Sequence, residues 1–363
     1  MSLGLYIHIP FCRSVCAYCD FFRGVYDKEK AEKYPAALEC DARDISKSYG
    51  INSSADTVYI GGGTPTVLPN GVLERALTMI KKHIFVEDGA EFTCEGNPES
   101  FTEEKARELK GVGVNRVSLG VQSLCDKTLA ALGRAHDSHQ AKAAVERAVN
   151  HGFRVSADIM LGVPFQTEAD VREFARTMRS LGVEHLSAYM LTVHKGTQLD
   201  DMVKRGEFTP DDDFSADLYY AFDNAAREQG YGRYEVSNWA LAGAECRHNI
   251  KYWTGGDYVG LGAGAYSKIG LRRFHTAENT DAYISGNIAR ITDEEMTESS
   301  LALEKVVFGL RTRMGAGAET LTAAGIDREK LLATPYFTFE NNALHIKDEY
   351  LLISDGIIVK YIL

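Results

Sequence analysis

Apolar positions in the first two-thirds of the chain follow two alternating periods. Steps of three and four residues run for about a dozen positions, and after a glycine comes a short β-branched or apolar run. The clearest copies are Ser138–Asn150 with Gly152 and Arg154–Leu161, and Thr167–Leu181 with Gly182 and His185–Leu191. In the second helix Val171, Phe174, Ala175, Met178 and Leu181 share one face, and Gly182 stands where a C-terminal cap belongs. Ser100 with Glu103 predicts a capping-box start for a helix ending near Gly111, ahead of a strand over Arg116–Val121. Earlier strands are expected at Gly4–Ile9, Asp56–Ile60 and Ala90–Glu95, with a helix around Gly71–Ile84 between the last two. Six strands in this rhythm predict an α/β fold, a whole or partial parallel (β/α)6 TIM-like barrel. In such barrels chemistry gathers at the C-terminal strand ends, where the loops converge on the mouth.

Beyond Asp200 the rhythm loosens into Asp211-Asp212-Asp213, a helix, and a Gly/Tyr-rich stretch over Tyr231–Ala265. From about Thr292, short helices and a terminal strand pair near His345 and at Ile357–Tyr361 predict a small α+β, winged-helix-like domain. The expected division is therefore a barrel core over 1–200, an extension covering the barrel mouth over 201–290, and a small C-terminal domain over 291–363.

Composition narrows the classes. With 363 residues, 45% of them hydrophobic, the chain can bury one large core and carry a smaller unit. Its longest apolar runs, Leu351–Ile353 and Ile357–Val359, fall far short of the ~20 residues of a spanning helix. No membrane span or signal peptide is visible, and a cytoplasmic protein is expected. The net charge of -11 disfavours a broad basic surface, and with it nucleic acid as the main partner. Of seven cysteines, Cys12, Cys16 and Cys19 crowd together while Cys40, Cys94, Cys125 and Cys246 are scattered, which is not a disulfide framework.

The crowded three form C-x3-C-x2-C directly after the first strand, which Pro10 ends. Soft thiolates at this spacing select zinc or iron–sulfur. A cubane cluster normally takes four cysteines, so three leave one iron open. The zinc alternative needs a distant fourth ligand, for which His8 is the candidate. Gly61-Gly62-Gly63-Thr64-Pro65 follows the second strand and suits either a tight turn or close approach of backbone to a ligand. It lacks the lysine of a phosphate-cradling loop, and Gly260-Leu261-Gly262-Ala263-Gly264 reads as a close-packed turn. Glu95, Gln122 and Asp158, at or near strand ends, should face the mouth; carboxylates and amides suit sugar hydroxyls, and Arg134 suits a carboxylate. Singly, each also fits an ordinary polar rim residue.

The stretch YIHIPFCRSVCAYCDF resembles the radical S-adenosylmethionine (SAM) signature. More narrowly it resembles the group holding oxygen-independent coproporphyrinogen III oxidase and the HemW-type heme chaperones. The likeness runs from Tyr6 to Trp253 through YIGGGTPT, EGNPES, RVSLGVQS, LGRAH and HNIKYW. It implies a radical SAM barrel with a 4Fe-4S cluster on Cys12, Cys16 and Cys19, whose open iron chelates SAM. It also implies SAM contacts from Tyr6, Gly62, Gly63, Thr64, Glu95, Gln122, Arg134 and Asp158.

Three features bear on carrier against oxidase. Phe21 stands where the oxidases carry a further cysteine. Tyr6 lies so early that the oxidases' N-terminal arm is not expected. HNIKYW matches the HNxxYW motif of the heme chaperones, which marks His248, Asn249, Tyr252 and Trp253 as candidates for heme, imidazole being a common axial ligand. The alternative is that His248 and Asn249 tie down the extension while Trp253 packs in the core. The resemblance thus implies a heme-binding protein with heme or porphyrin, an electron donor and a heme-acceptor protein as partners. Oxidative decarboxylation of coproporphyrinogen III is the alternative activity.

Overall fold

The computed structural model describes residues 3–50 and 54–363. Its main sheet has twelve strands. In chain order they are β1 (Leu3–Ile9), β2 (Ala55–Gly62), β3 (Val86–Gly96), β4 (Arg116–Gln122), β5 (Arg154–Leu161), β6 (His185–Met190), β7 (Gly232–Glu235), β8 (Asn238–Ala240), β9 (Tyr258–Leu261), β10 (Tyr266–Ile269), β11 (Arg272–Thr276) and β12 (Arg290–Glu295). Across the sheet the order is β12-β11-β10-β9-β1-β2-β3-β4-β5-β6-β8-β7. The six expected strands lie side by side, all parallel, in sequence order. β9 joins the open side of β1 in parallel, and antiparallel strands extend both edges. The barrel is therefore partial, and its parallel strands aim their C-terminal ends at one mouth.

Alternation along the strands separates two environments. Leu5 and Ile7, Val58 and Ile60, Val117 and Leu119, and Val155 and Ala157 all face the helices and are buried in one core. Residues at the alternate positions, among them Tyr59, Glu95, Ser118 and Asp158, point into the curve of the sheet and line a cavity. Helix Glu168–Ser180 buries Val171, Phe174, Ala175 and Met178, the face its periodicity predicts, and Gly182 follows with φ +85°.

Local details differ. The helix ahead of β4 is capped by Thr102, whose Oγ1 accepts from Lys105 N at 3.2 Å, because Ser100 is occupied with Thr66 Oγ1 and Asn97 O. A 22-residue helix, Lys28–Tyr49, lies between β1 and β2 in spite of Pro35; the sequence reading assigned nothing there. At the C-terminus Ile357–Tyr361 is no strand but part of the helix Ser354–Tyr361. Three consecutive apolar residues leave the period open, and packing decides it: Ile357, Ile358 and Ile362 are buried while Val359 is exposed. The strands that do pair are Ala316–Gly317, Phe337–Glu340 and Ala343–Ile346, in one antiparallel sheet. With helix Glu298–Gly309 they enclose a second apolar core around Val306, Leu310, Leu321 and Leu344. β12 belongs to the main sheet, so this second unit begins at about Thr297 rather than at residue 291. Among the described residues no helix is long and apolar enough to cross a membrane.

Candidate functional site

The curve of the sheet encloses a cavity of about 380 Å3. Its wall holds Gly62, Gly63, Thr64, Glu95, Gln122, Arg134 and Asp158, and Cys12, Cys16 and Cys19 form part of its rim. Residues from six separated segments thus meet in one space because each lies in the C-terminal half of a parallel strand or follows one.

The carboxylates lie deep. Glu95 Oε1 accepts from Tyr59 OH at 2.8 Å and Oε2 from Gly62 N at 3.2 Å. Burial pushes its carboxyl up to about 7, and the nearby Asp158 adds to the shift. Asp158 accepts from Ser118 Oγ at 3.1 Å and is pushed up to about 6, again mainly by burial. Ionising Glu95 in the folded chain therefore works against stability. The group's contribution is complete below the ordinary value of 4.5 and is lost as pH rises through about 7. The cluster-free protein is expected to unfold at lower urea concentration at pH 8 than at pH 5.5. Glu95→Gln should remove on the order of 1–2 kcal/mol of that difference, allowing for water in the cavity. An unchanged pH slope in the variant would show that Glu95 does not titrate in this window.

Arg134 reaches both the strands and the cysteine loop. Its Nη2 donates to Gly120 O at 2.7 Å and Asn97 Oδ1 at 2.8 Å, and its Nη1 lies 3.3 Å from Cys16 Sγ. Asn97 Nδ2 donates in turn to Thr64 Oγ1 at 3.2 Å, and that hydroxyl stands 3.6 Å from Cys12 Sγ. One polar chain thus runs from Cys16 through Arg134, Asn97 and Thr64 to Cys12. Asn97 was not singled out from the sequence; its signal was its place in EGNPES, two residues after Glu95. The loop is pinned further by Ala17 N to Leu132 O at 3.1 Å and Leu199 N to Ala17 O at 2.9 Å.

Two expected neighbours lie elsewhere. The Tyr6 ring stacks on Tyr59 at 6.3 Å and its hydroxyl meets His8 Nδ1 at 3.0 Å, so it backs the wall instead of forming it. His8 Nε2 takes Phe22 O at 2.8 Å, which leaves neither ring nitrogen for a metal. Its ring also explains Gly62: at φ +104°, a Cβ there would lie 2.4 Å from the imidazole.

HNIKYW occupies the opposite end of the barrel from the one expected. Helix Arg247–Trp253 sits at the N-terminal strand ends, against Gly4, Asp56 and Thr57, as a floor and not a cover. His248 is 1% exposed; its Nδ1 meets Thr57 Oγ1 and its Nε2 meets Tyr252 OH, both at 2.9 Å, and its backbone N–H donates to Glu91 Oε1 at 3.0 Å. Burial lowers its pKa to about 3. Trp253 packs edge-on against Phe308 at 5.7 Å, beside the second core. His248, Tyr252 and Trp253 therefore do not reach the cavity, and a heme iron could use His248 only by displacing a buried partner. Asn249 does reach it, at the floor beside Cys246 and Arg116.

The wall suits a polar ligand. Gln122 Oε1 and Thr93 Oγ1 are buried with no hydrogen-bond partner among the described residues. Gln122 is also held at φ +66°, a conformation sparsely populated by residues other than glycine. Two orphaned polar groups, two carboxylates and a guanidinium match a nucleoside and an amino-acid end. The three free thiols fit an iron–sulfur cluster. Among the described residues no three acidic, histidine or cysteine side chains converge on one point as for a single ion. A cubane does not ask for that, since each thiolate goes to a different iron. Burial pushes the Cys12 and Cys19 thiols up, so binding there must displace their protons.

Comparison with known proteins places this geometry. The radical SAM superfamily model matches residues 6–178. A heme chaperone HemW from Mycobacterium tuberculosis (strain ATCC 25618 / H37Rv) is 34% identical over 98% of this chain and 93% of its own length. HemW from Bacillus subtilis (strain 168) is 36% identical over 85% of this chain and 83% of its own. HemW from Escherichia coli (strain K12) is 35% identical over 74% and 70%. Among solved structures, coproporphyrinogen III oxidase (HemN) from Escherichia coli, described as a radical SAM enzyme, superposes with a TM-score of 0.84 over 99% of this chain and 90% of its own, at 18% identity. At that identity the likeness shows the fold alone.

Proposed function

The chain belongs to the HemW family of heme chaperones within the radical SAM superfamily, and from that membership we propose that it binds heme and passes it to an acceptor protein. The observation that carries the reading is the near full-length likeness to HemW chaperones, 98% of this chain against 93% of a relative. In this reading Cys12, Cys16 and Cys19 hold a 4Fe-4S cluster, while Glu95, Gln122, Arg134 and Asp158 hold SAM beside it. Gly62, Gly63 and Thr64 lie on the same wall and Tyr6 supports it from behind. When reduced by an electron donor, such a cluster supplies the electron that cleaves the sulfonium of SAM.

The chain's own residues divide the work. Glu95 and Asp158, once ionised, would suit the ribose hydroxyls as hydrogen-bond acceptors. Gln122 offers its unpaired oxygen to a donor on the ligand. Arg134 keeps Cys16 and the Asn97–Thr64 chain in register with the strand ends, and its buried Nε has no hydrogen-bond partner among the described residues.

Arg134→Ala is therefore expected to weaken SAM binding about tenfold or more, since it removes a charge-assisted contact from a partly desolvated wall. Arg172→Ala, on the outer face of helix Glu168–Ser180, should change nothing. Equilibrium dialysis with anaerobically reconstituted protein reads both, and equal affinities in the two variants would remove Arg134 from the site.

The reading as a whole is tested on one anaerobic preparation, by heme titration and by SAM-dependent decarboxylation of coproporphyrinogen III in parallel. Saturable heme binding without decarboxylation is expected. Robust decarboxylation by the wild type would overturn the carrier reading. Phe21, exposed at the rim where the oxidases place a cysteine, favours the carrier.

A further inference from the structure

We propose that heme is held at the cavity mouth with His194 as axial ligand to the iron, oriented by Asp20 and flanked by Phe21. This rests on the heme-carrier reading above. His194 follows β6 and lines the same cavity as the cysteines. Its Nδ1 lies 2.9 Å from Asp20 Oδ2, with both side chains nearly half exposed. A carboxylate this close favours the proton on Nδ1 and leaves the Nε2 lone pair for a metal; a turn of the ring that points the N–H at Asp20 gives the usual arrangement of a ligating histidine. That Nε2 has no partner among the described residues.

The other histidines near the cavity are spent. His8 and His248 use both ring nitrogens, as described above. His136 meets Glu99 Oε2 at 3.2 Å and Val121 O at 3.1 Å, and His185 meets Ser156 Oγ at 2.7 Å and Tyr234 OH at 2.8 Å. An apolar surface also adjoins His194. Phe21, directly after Asp20, is 67% exposed and lines the rim with Val15 and Met190. A porphyrin face needs such a surface, and a ring there supplies contact area at little entropic cost. The pair joins the two sides of the mouth, the cysteine loop through Asp20 and the segment after β6 through His194. Heme bound there lies against the loop that carries the cluster ligands.

The test is a ferric heme titration of the full, anaerobically reconstituted chain, followed by its Soret band. His194→Ala is expected to bind heme at least about tenfold more weakly with a shifted Soret maximum, and free imidazole should restore the wild-type spectrum. Cluster absorbance should stay unchanged. Asp20→Asn should weaken binding about tenfold while keeping the histidine-ligated spectrum, as loss of an outer partner does. His275→Ala is the control: it removes a like pair, His275 Nδ1 to Asp293 Oδ1 at 2.7 Å, from β11 on the far side of β1. Wild-type heme binding with an identical titration and spectrum in His194→Ala overturns the assignment and leaves the carrier reading intact. So does an equal loss in His275→Ala. Failure of the wild type to bind heme overturns both.

Discussion

Alanine at any one of Cys12, Cys16 and Cys19 is expected to leave protein that takes up less than about one iron per chain on anaerobic reconstitution, against about four in the wild type. The three thiols are free and lie in one loop on the cavity rim, each available to a different iron. With one missing, two cubane corners lack a protein ligand and the cluster opens to solvent. The loop itself should survive, because the backbone bonds Ala17 N to Leu132 O and Leu199 N to Ala17 O anchor it without involving the thiols. Melting of the cluster-free variants should therefore match that of the cluster-free wild type. Cys40→Ala, on the outer helix Lys28–Tyr49, should retain the full iron content. Stoichiometric zinc without iron–sulfur absorbance in the wild type would replace the cluster with a structural metal.

The second large effect is expected at the barrel floor. Arg116 is 2% exposed; its Nη1 donates to Ala244 O at 2.9 Å and stands 3.6 Å from Glu91 Oε2. Glu91 in turn receives the His248 backbone N–H and the Cys246 thiol. Removing the cation strands a carboxylate beneath the cavity, and breaking a buried pair from one side costs about 3–5 kcal/mol. Arg116→Met should lose that much stability in urea, and adding Glu91→Gln should recover a substantial part. Arg116→Met at wild-type stability would show that water reaches Glu91 and that helix Arg247–Trp253 does not seal the floor.

This floor also decides what HNIKYW does. His248 is engaged on both ring nitrogens and packs against Tyr59 at 5.2 Å, so it braces the wall that holds Glu95. A loss of heme binding in His248→Ala would therefore work through Tyr59 and Glu95, whereas one in His194→Ala would act at the iron.

Much was legible in the chain because the signals are local. Alternation of period places six strands and their helices, and three cysteines directly after the first strand place a ligand loop at a strand end. Glu95, Gln122 and Asp158 could be aimed at the mouth, since a polar residue late in a parallel strand is poorly suited to the apolar core under the helices and belongs on the other face. What the tertiary structure alone decided depends on partners distant in sequence. β9 pairs parallel to β1, so the chain must enter it from the N-terminal end of the barrel. Helix Arg247–Trp253, which immediately precedes it, is thereby carried to the floor and away from the mouth. Polar groups left inside the curve of the sheet, Thr57, Glu91 and Arg116, then draw His248 and Cys246 into bonds that no local pattern encodes. The same holds at the C-terminus, where Ile357–Tyr361 reads equally as strand or helix until the second core selects the face that is buried.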